Sequence, residues 1–213
     1  MGSTIKEAQD RVNAKIKLPK GYFLEWAGDF ENQQRASARL SQVVPISLLI
    51  IFFILFILFG NIKDSLLVLN NVPFAIAGGI LALLITGVNF NISAGIGFIA
   101  LFGICVQNGV ILITKFKTNI KELRTHSARR FSDALRLGVA ERLRAVVMTA
   151  LMAAIGLLPA AMSNGIGSEA SKPLAIVVIG GLITNTTFNL FIFPIIFYWA
   201  YKKRVEQGNI GRI

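Results

Sequence analysis

The 213-residue chain has one cysteine, Cys105, and one histidine, His126. A lone cysteine closes no intrachain disulfide. A lone histidine in a basic segment, with no second histidine or cysteine near it, makes no metal-ligand set and reads as a solvated surface residue. The phosphate-binding signature GxxxxGK[ST] is absent, which removes ATP as the energy source of this chain. No cofactor and no resident metal are expected. Acids are scarce, 11 Asp and Glu against 22 Lys and Arg, for a net charge of +11. No Asp or Glu lies deep within any long apolar run, so the chain has no titratable carboxylate at mid-membrane depth and is not expected to couple protons alone.

What the sequence has in quantity is apolar residues, 54% of the total, with a mean hydropathy of +0.64. They come in five blocks, about 43–60, 66–86, 93–114, 146–163 and 174–200. A span needs roughly 20 such residues, with a range of about 17–25. The fold class predicted is an all-α polytopic membrane protein of five transmembrane helices, the last tilted or kinked at Pro194. Its surroundings are the lipid bilayer.

The placement of the positive charge argues against nucleic acid as partner. Segment 115–144 holds nine Lys or Arg and three acids, and the tail 201–213 adds Lys202, Lys203, Arg204 and Arg212. The connections "VNFNIS" and "SNGIGSEASK" carry one acid and one Lys. Both basic segments fall on one side of a five-span chain, the positive-inside pattern. The C-terminus is therefore expected in the cytoplasm and the N-terminus outside.

Residues 1–42 fit that topology poorly by themselves, being polar, charged and without an apolar leader core. "STIKEAQDRVNAKIKLP" predicts a helix, with Ser3 or Thr4 as N-cap, Glu7 completing a capping box and Pro19 past its end. "GYFLEWAGDF" (21–30) predicts a strand. A helix and one strand bury no core. The expectation is a short α/β remnant of a larger domain, in a chain that begins partway through a longer protein.

Several motifs, in order and with matching gaps, resemble the C-terminal end of RND-superfamily efflux permeases. "LPKGYFLEWAGDFENQQRA" is similar to the end of their second periplasmic porter loop. "LFGNIKDSLLVLNNVPFAIAGGILAL" resembles the turn between spans eight and nine and the ninth span, and "GICVQNGVILI" resembles the tenth. "RLRAVVMTALMAAIGLLPAAMSNGIGSE" and "KPLAIVVIGGLITNTTFNLFIFPIIF" resemble the eleventh and twelfth. "QNG" and "SEASKPLAIVVIGGLIT" look more like the heavy-metal branch, the cobalt-zinc-cadmium and copper-silver exporters, than the multidrug branch.

The resemblance implies a secondary active transporter, not an enzyme: a proton antiporter of the bacterial inner membrane, with a periplasmic N-terminus and a cytoplasmic C-terminus. It implies a homotrimer joined to a periplasmic adaptor and an outer-membrane channel, exporting heavy-metal cations. The missing partner would be the rest of the pump, with its first spans and porter domain. The alternatives are a multidrug-type segment and a truncated, non-transporting remnant.

Within this frame four residues are candidates for proton relay: Gln107, Asn108, Arg142 and Thr149. In many family members a lysine stands where Gln107 stands and pairs with aspartates of the fourth span. An amide cannot titrate, but it can hydrogen-bond to a carboxylate. Asn108 matches a family position directly, Arg142 an arginine at the relay mouth, and Thr149 a hydroxyl two turns further in. Arg142 and Thr149 are seven apart and share a helix face. Asn185 and Asn189, four apart, are candidates for a polar seam. For each, the plain alternative is interhelical packing, headgroup anchoring or back-bonding. The stripe Phe131, Ala134, Leu135, Gly138 and Val139 predicts an amphipathic helix on the membrane surface. The pair Met148 and Met152 reads as packing filler.

Overall fold

The computed structural model describes residues 7, 11–12, 29–122, 128–165 and 167–206. The chain divides into two compact units, 1–45 and 46–213. In the first, Glu7, Arg11 and Val12 are helical, and Arg11 pairs with Glu7 across one turn at 2.7 Å. The rest of the expected N-terminal helix, and residues 21–28 of the expected strand, lie outside the described residues. The last two residues of that strand are helical instead: Asp29 and Phe30 begin α1 (Asp29–Phe59). The cause is the composition of the next dozen residues. Residues 31–42 are mostly Glu, Gln, Arg, Ala and Leu, good helix formers with no breaker before the apolar block. No strand occurs among the described residues.

The second unit continues through α2 (Ile62–Leu69), α3 (Asn71–Thr86), α4 (Ile92–Glu122), α5 (Ala128–Met162), α6 (Ser168–Thr187), a π-helical turn (Phe188–Ile192) and α7 (Phe193–Glu206). Five stretches among the described residues are long and apolar enough to cross a membrane: Ala38–Phe59, Ile62–Thr86, Ile92–Glu122, Arg130–Met162 and Ser168–Lys202.

Local chemistry sets the breaks. Gly60, at φ 60°, ends α1, and Asn61 caps α2 by accepting from the Lys63 amide at 3.1 Å. Only Asn70 separates α2 from α3, and it stays right-handed, so the two helices make one span. Gly87, at φ 65°, ends α3 in the left-handed conformation that glycine adopts freely. The π turn precedes Pro194. Proline has no amide hydrogen, so the ladder must skip a bond there, and the Phe193 amide reaches back to the Phe188 carbonyl in the wider register.

Three spans form the middle of the bundle: α2–α3, α4 and α6–α7. Glycines let them touch. A methyl built on Gly78 would stand 2.7 Å from the Gly180 carbonyl, and one on Gly180 2.8 Å from the Gly78 carbonyl. Gly181 lies against Leu101, and Gly97 against Leu174 and Val177. These pairs make α4 and α6 parallel, with α3 antiparallel to both.

The stripe on α5 takes a different role from the surface anchor expected. Phe131, Ala134, Leu135 and Gly138 are buried. Phe131 stacks on Tyr198 at 5.3 Å between ring centroids, and Gly138 leaves room for the Phe116 ring, 2.7 Å from where its methyl would be. The stripe joins the aromatic core of Phe116, Phe188, Phe193, Phe197 and Tyr201. α5 also runs without interruption from the basic segment into the fourth apolar block.

Candidate functional site: a buried amide layer and a buried ion pair

Among the described residues two buried polar features concern the three middle spans, one within them and one at their basic end; a further buried amide, Asn119 of α4, bonds to Ala134 and Glu141 of α5. The inner one is a layer of amides. Asn71, Asn185 and Asn189 are 0–1% exposed and Asn108 is 8% exposed. The helix register stacks them. Leu101 meets Gly181 and Gly97 meets Val177, and the same offset carries Cys105 to the level of Asn185 and Gly109 to that of Asn189. Asn71 lies directly on Gly109, where a methyl would come 2.7 Å from its Nδ2. Phe74 stacks on Phe188 at 3.9 Å, one turn from Asn71.

Within the layer the Asn189 amide donates to Asn185 Oδ1 at 3.1 Å, and Asn71 donates to the Val68 carbonyl at 3.0 Å. Asn71 Oδ1, Asn185 Nδ2, Asn189 Oδ1 and Thr186 Oγ1 are buried without a hydrogen-bond partner among the described residues. An amide in such surroundings costs free energy until it is satisfied. Both hydrogen bonds are local, between residues four and three apart in one span, so neither ties two spans together.

The structure separates the sequence candidates. Gln107 and Asn108 are neighbours in the chain and face apart: Asn108 is buried in the middle of the bundle and Gln107 is exposed on the outside of α4. Thr149 is also exposed, and its hydroxyl donates to the Ala145 carbonyl of its own helix at 2.9 Å. Arg142 is half-buried on α5, beside Glu141, which pairs with Lys115 at 2.8 Å. Asn185 and Asn189 come together as one buried pair; Gln107 and Thr149 do not join it.

The second feature is absent from the sequence candidates. Asp64, on the first turn of α2, is fully buried. Lys117 of α4 donates to its Oδ2 at 2.5 Å and the Tyr201 hydroxyl of α7 to its Oδ1 at 2.5 Å. Asn61 donates to the same hydroxyl at 3.2 Å, and the Lys117 ammonium lies 5.4 Å from the centre of the Phe59 ring. Charge-assisted bonds to both oxygens offset the loss of hydration of a buried carboxylate. The only local signal was an acid two residues ahead of an apolar block. This knot gathers the α1–α2 turn and the C-terminal ends of α4 and α7. At the other end, Asn91 donates to the Glu169 carbonyl at 3.3 Å. The spans therefore alternate in direction, as five crossings require. No group of three or more His, Cys, Asp or Glu suited to a metal ion occurs among the described residues.

Comparison with known proteins agrees with this architecture. The cobalt-zinc-cadmium resistance protein CzcA of Cupriavidus metallidurans is 44% identical over 203 residues, 95% of this chain and 19% of that protein. The cation efflux system protein CusA of Escherichia coli K12 is 33% identical over 215 residues, 97% of this chain and 20% of that protein. The crystal structure of a heavy metal efflux pump (crystal form II) superposes with a TM-score of 0.75 at 40% identity, covering 95% of this chain and 20% of that one. The chain thus spans about a fifth of the length of these relatives. The sequence profile of the AcrB/AcrD/AcrF family matches residues 1–201, and on that match the chain belongs to this family of RND permeases.

Proposed function

We propose that this chain forms part of the membrane domain of a proton-driven RND pump that exports heavy-metal cations. The observation that carries the reading is the pairing of two facts. Over nearly its whole length the chain is similar to proteins named for cobalt, zinc, cadmium and cation efflux. Its three middle spans also bury a layer of amides where a helical bundle would otherwise be apolar. In this reading the protein lies in the bacterial inner membrane with residues 1–42 on the periplasmic side and the basic segments in the cytoplasm. The pump works as a trimer with a periplasmic adaptor and an outer-membrane channel.

The proton-carrying carboxylate belongs to a span outside this chain. Asn108 holds the inner side of α4 against α3 and α6, while Gln107 points outward, where a carboxylate of another span can meet it. Gln107 then accepts or donates a hydrogen bond without titrating. Arg142 supplies positive charge at the mouth of that path, and Thr149 a hydroxyl further in. Asn185 and Asn189 belong to the same polar seam as Asn108, on its bundle side.

The test is metal resistance of cells carrying the whole pump with Gln107→Ala, Asn108→Ala or Arg142→Ala. Loss of resistance at normal expression supports the relay. Full resistance in all three rules these residues out as coupling groups, while leaving the family assignment intact.

A further inference from the structure

Two of the three middle spans lose their regular backbone at the same height. In the second span α2 stops at Leu69 and α3 starts at Asn71. Pro73 explains the gap. It offers no amide to the Leu69 carbonyl four residues back, and its ring crowds that carbonyl. The Asn71 side chain enters the same ladder by donating to the Val68 carbonyl at 3.0 Å. In the fifth span Pro194 stands in the same relation to Leu190, inside the π turn Phe188–Ile192. The two spans are antiparallel, and their packing sets the breaks side by side. Gly78 meets Thr184 and Phe74 stacks on Phe188, so one further step of four residues brings Asn70 opposite Ile192. At that height α4 presents Gly109 to Asn71 and Val68. α4 itself runs unbroken from Ile92 to Glu122.

The packing differs in kind on the two sides of this plane. On one side, glycines hold α3, α4 and α6 together at close range. On the other, α2, α4 and α7 are fastened by rings and by the ion pair. Phe116 lies 6.3 Å from Phe193 and 5.2 Å from Phe197 between ring centroids, and Lys117 and Tyr201 both bond to Asp64. The amide layer lies in the plane itself. Asn71 Oδ1 and Asn189 Oδ1 have no donor there among the described residues, and Asn185 Nδ2 no acceptor. Hydrogen-bond partners can therefore exchange in the plane as its two sides turn. A groove of about 570 Å³ opens beside it between the second span and α7, lined by Leu66, Leu69, Asn70, Pro73, Ile196 and Ala200. It lets α2 and α7 shift without displacing packed side chains.

We propose that this plane is a hinge. α2 and α7, tied to each other by the Asp64 knot, turn about α4 as their axis, while α3 and α6 stay fixed in the glycine seam. The two proline breaks absorb the backbone change, as element-terminal residues do in hinge motions. Gly109 leaves the axis smooth where Asn71 passes over it. π turns and prolines are the usual causes of a bend in a long helix, and here the irregularities of two spans coincide at one depth. The hinge goes beyond the export reading, because it does not depend on which ion is carried.

The experiment uses the full-length pump in proteoliposomes, frozen with and without a proton gradient. Labelled protomers are diluted among unlabelled ones, and reactive cysteines are replaced; Cys105 is buried and stays. Spin labels at Ile85→Cys and Trp199→Cys occupy exposed positions on opposite sides of the plane, and double electron–electron resonance reads their separation. The expected result is two distances whose proportions change with the gradient. A pair on the axis, Ile96→Cys with Lys121→Cys, should give one distance throughout. Pro73→Ala and Pro194→Ala each return an amide to the helix ladder. Each should raise the melting temperature, abolish the second distance and lower metal resistance. One unchanging distance for 85–199 in the otherwise unmodified pump overturns the hinge, as does survival of both distances in the two proline variants. Two distances for 96–121 overturn α4 as the axis. Full metal resistance in a variant that has lost the second distance overturns the part of the hinge in transport. The distances are read without metal, so their failure leaves the export reading standing.

Discussion

The spans in α1 and α5 differ from the other three in how they face their neighbours. In the most apolar 18-residue stretch of each span, 6% of the residues are buried in the first and the fourth, against 39%, 44% and 50% in the second, third and fifth; the buried stripe of α5, at 131–138, lies ahead of its stretch. Glycine use shows the same division. Gly78, Gly97, Gly109, Gly180 and Gly181 of the middle spans stand where a methyl would strike a neighbouring helix; Gly103 on α4 and Gly156 on α5 have nothing within 4 Å, and on α5 only Gly138, in its basic half, meets a neighbour, Phe116. In lipid, hydrocarbon tails are as apolar as leucine, so helices associate through close van der Waals contact and polar bonds. The middle three have both. The outer two present Ile57, Met152 and Ile155 at 66–80% exposure, surfaces that suit lipid or further protein.

The sharpest way to break this contrast is at the buried ion pair. Asp64→Ala leaves the Lys117 ammonium without its carboxylate and takes an acceptor from the Tyr201 hydroxyl. Removing one partner of a buried pair costs about 3–5 kcal/mol. Glu141→Ala removes one side of the Lys115 pair, whose carboxylate residue is 41% exposed, together with an acceptor for Asn119, and should cost much less, because solvent already screens the pair. Thermal melting of the detergent-solubilised pump, monitored by size-exclusion fluorescence, ranks the two. Asp64→Ala combined with Lys117→Met should recover part of the loss, because the stranded charge is gone. A melt for Asp64→Ala no lower than for Glu141→Ala would mean that the knot does not hold the helix ends.

Next in size is the glycine seam. Gly180→Val places methyls against the Gly78 backbone, which cannot rotate away as a side chain would. Overpacking of this kind costs about 1–3 kcal/mol. On the outer span, Gly156→Ala meets open space and removes a flexible residue from a helix, so it should be neutral or stabilising by about 0.5–1 kcal/mol. The same melting assay tests both. Equal losses would show that α5 is packed as tightly in the whole pump as α6 is.

The amide layer ranks third. Asn189→Leu removes its bond to Asn185 and replaces a partly satisfied amide with hydrocarbon. That bond joins residues four apart on one helix and is worth about 0.2–0.5 kcal/mol, and loss of an unsatisfied atom offsets part of that. A small change in melting with a marked fall in metal resistance would give the layer a role beyond packing; a parallel fall in both would leave it as glue.

How much of this was readable in the sequence depends on the range of the interaction. The five spans were legible, because a run of apolar residues is a local signal, and Gly60 and Gly87 mark helix ends by local backbone conformation. The start of α1 at Asp29 was not. An aromatic-rich segment ahead of it suggested a strand through Phe30, and the helix-forming run 31–42 overrode that at the junction. Asp64 escaped because its burial is decided by Lys117 and Tyr201, 53 and 137 residues away. The α5 stripe was legible as amphipathic, but periodicity does not say whether lipid or protein covers a face. Gln107 and Asn108 posed the same problem. Neighbours on a helix lie about 100° apart, so only one could face the bundle. The helical recurrence of Gly97, Leu101, Cys105 and Asn108, all buried, marks which.

The smallest expected effect on stability is at the outward-facing candidates, and it is there that the contrast becomes informative about function. Gln107 is exposed on α4 and Thr149 on α5. The Thr149 hydroxyl is already bonded to the carbonyl four residues back, an arrangement worth little to a helix. Gln107→Ala and Thr149→Ala should each change the melting temperature by an amount equivalent to less than about 0.5 kcal/mol, as surface substitutions do. Any loss of metal resistance in these variants therefore cannot come from unfolding of this part of the bundle. It must come from a contact with a group outside the chain, and a carboxylate is the partner an amide and a hydroxyl would share. The proof is a second substitution at the same position. If Gln107→Lys retains resistance while Gln107→Leu loses it, position 107 meets a negative charge, because lysine and glutamine both donate to a carboxylate and leucine does not. If Gln107→Leu keeps full resistance at normal expression, Gln107 leaves the relay, and the amides of this segment are left with the role that Asn108, Asn185 and Asn189 have inside the bundle.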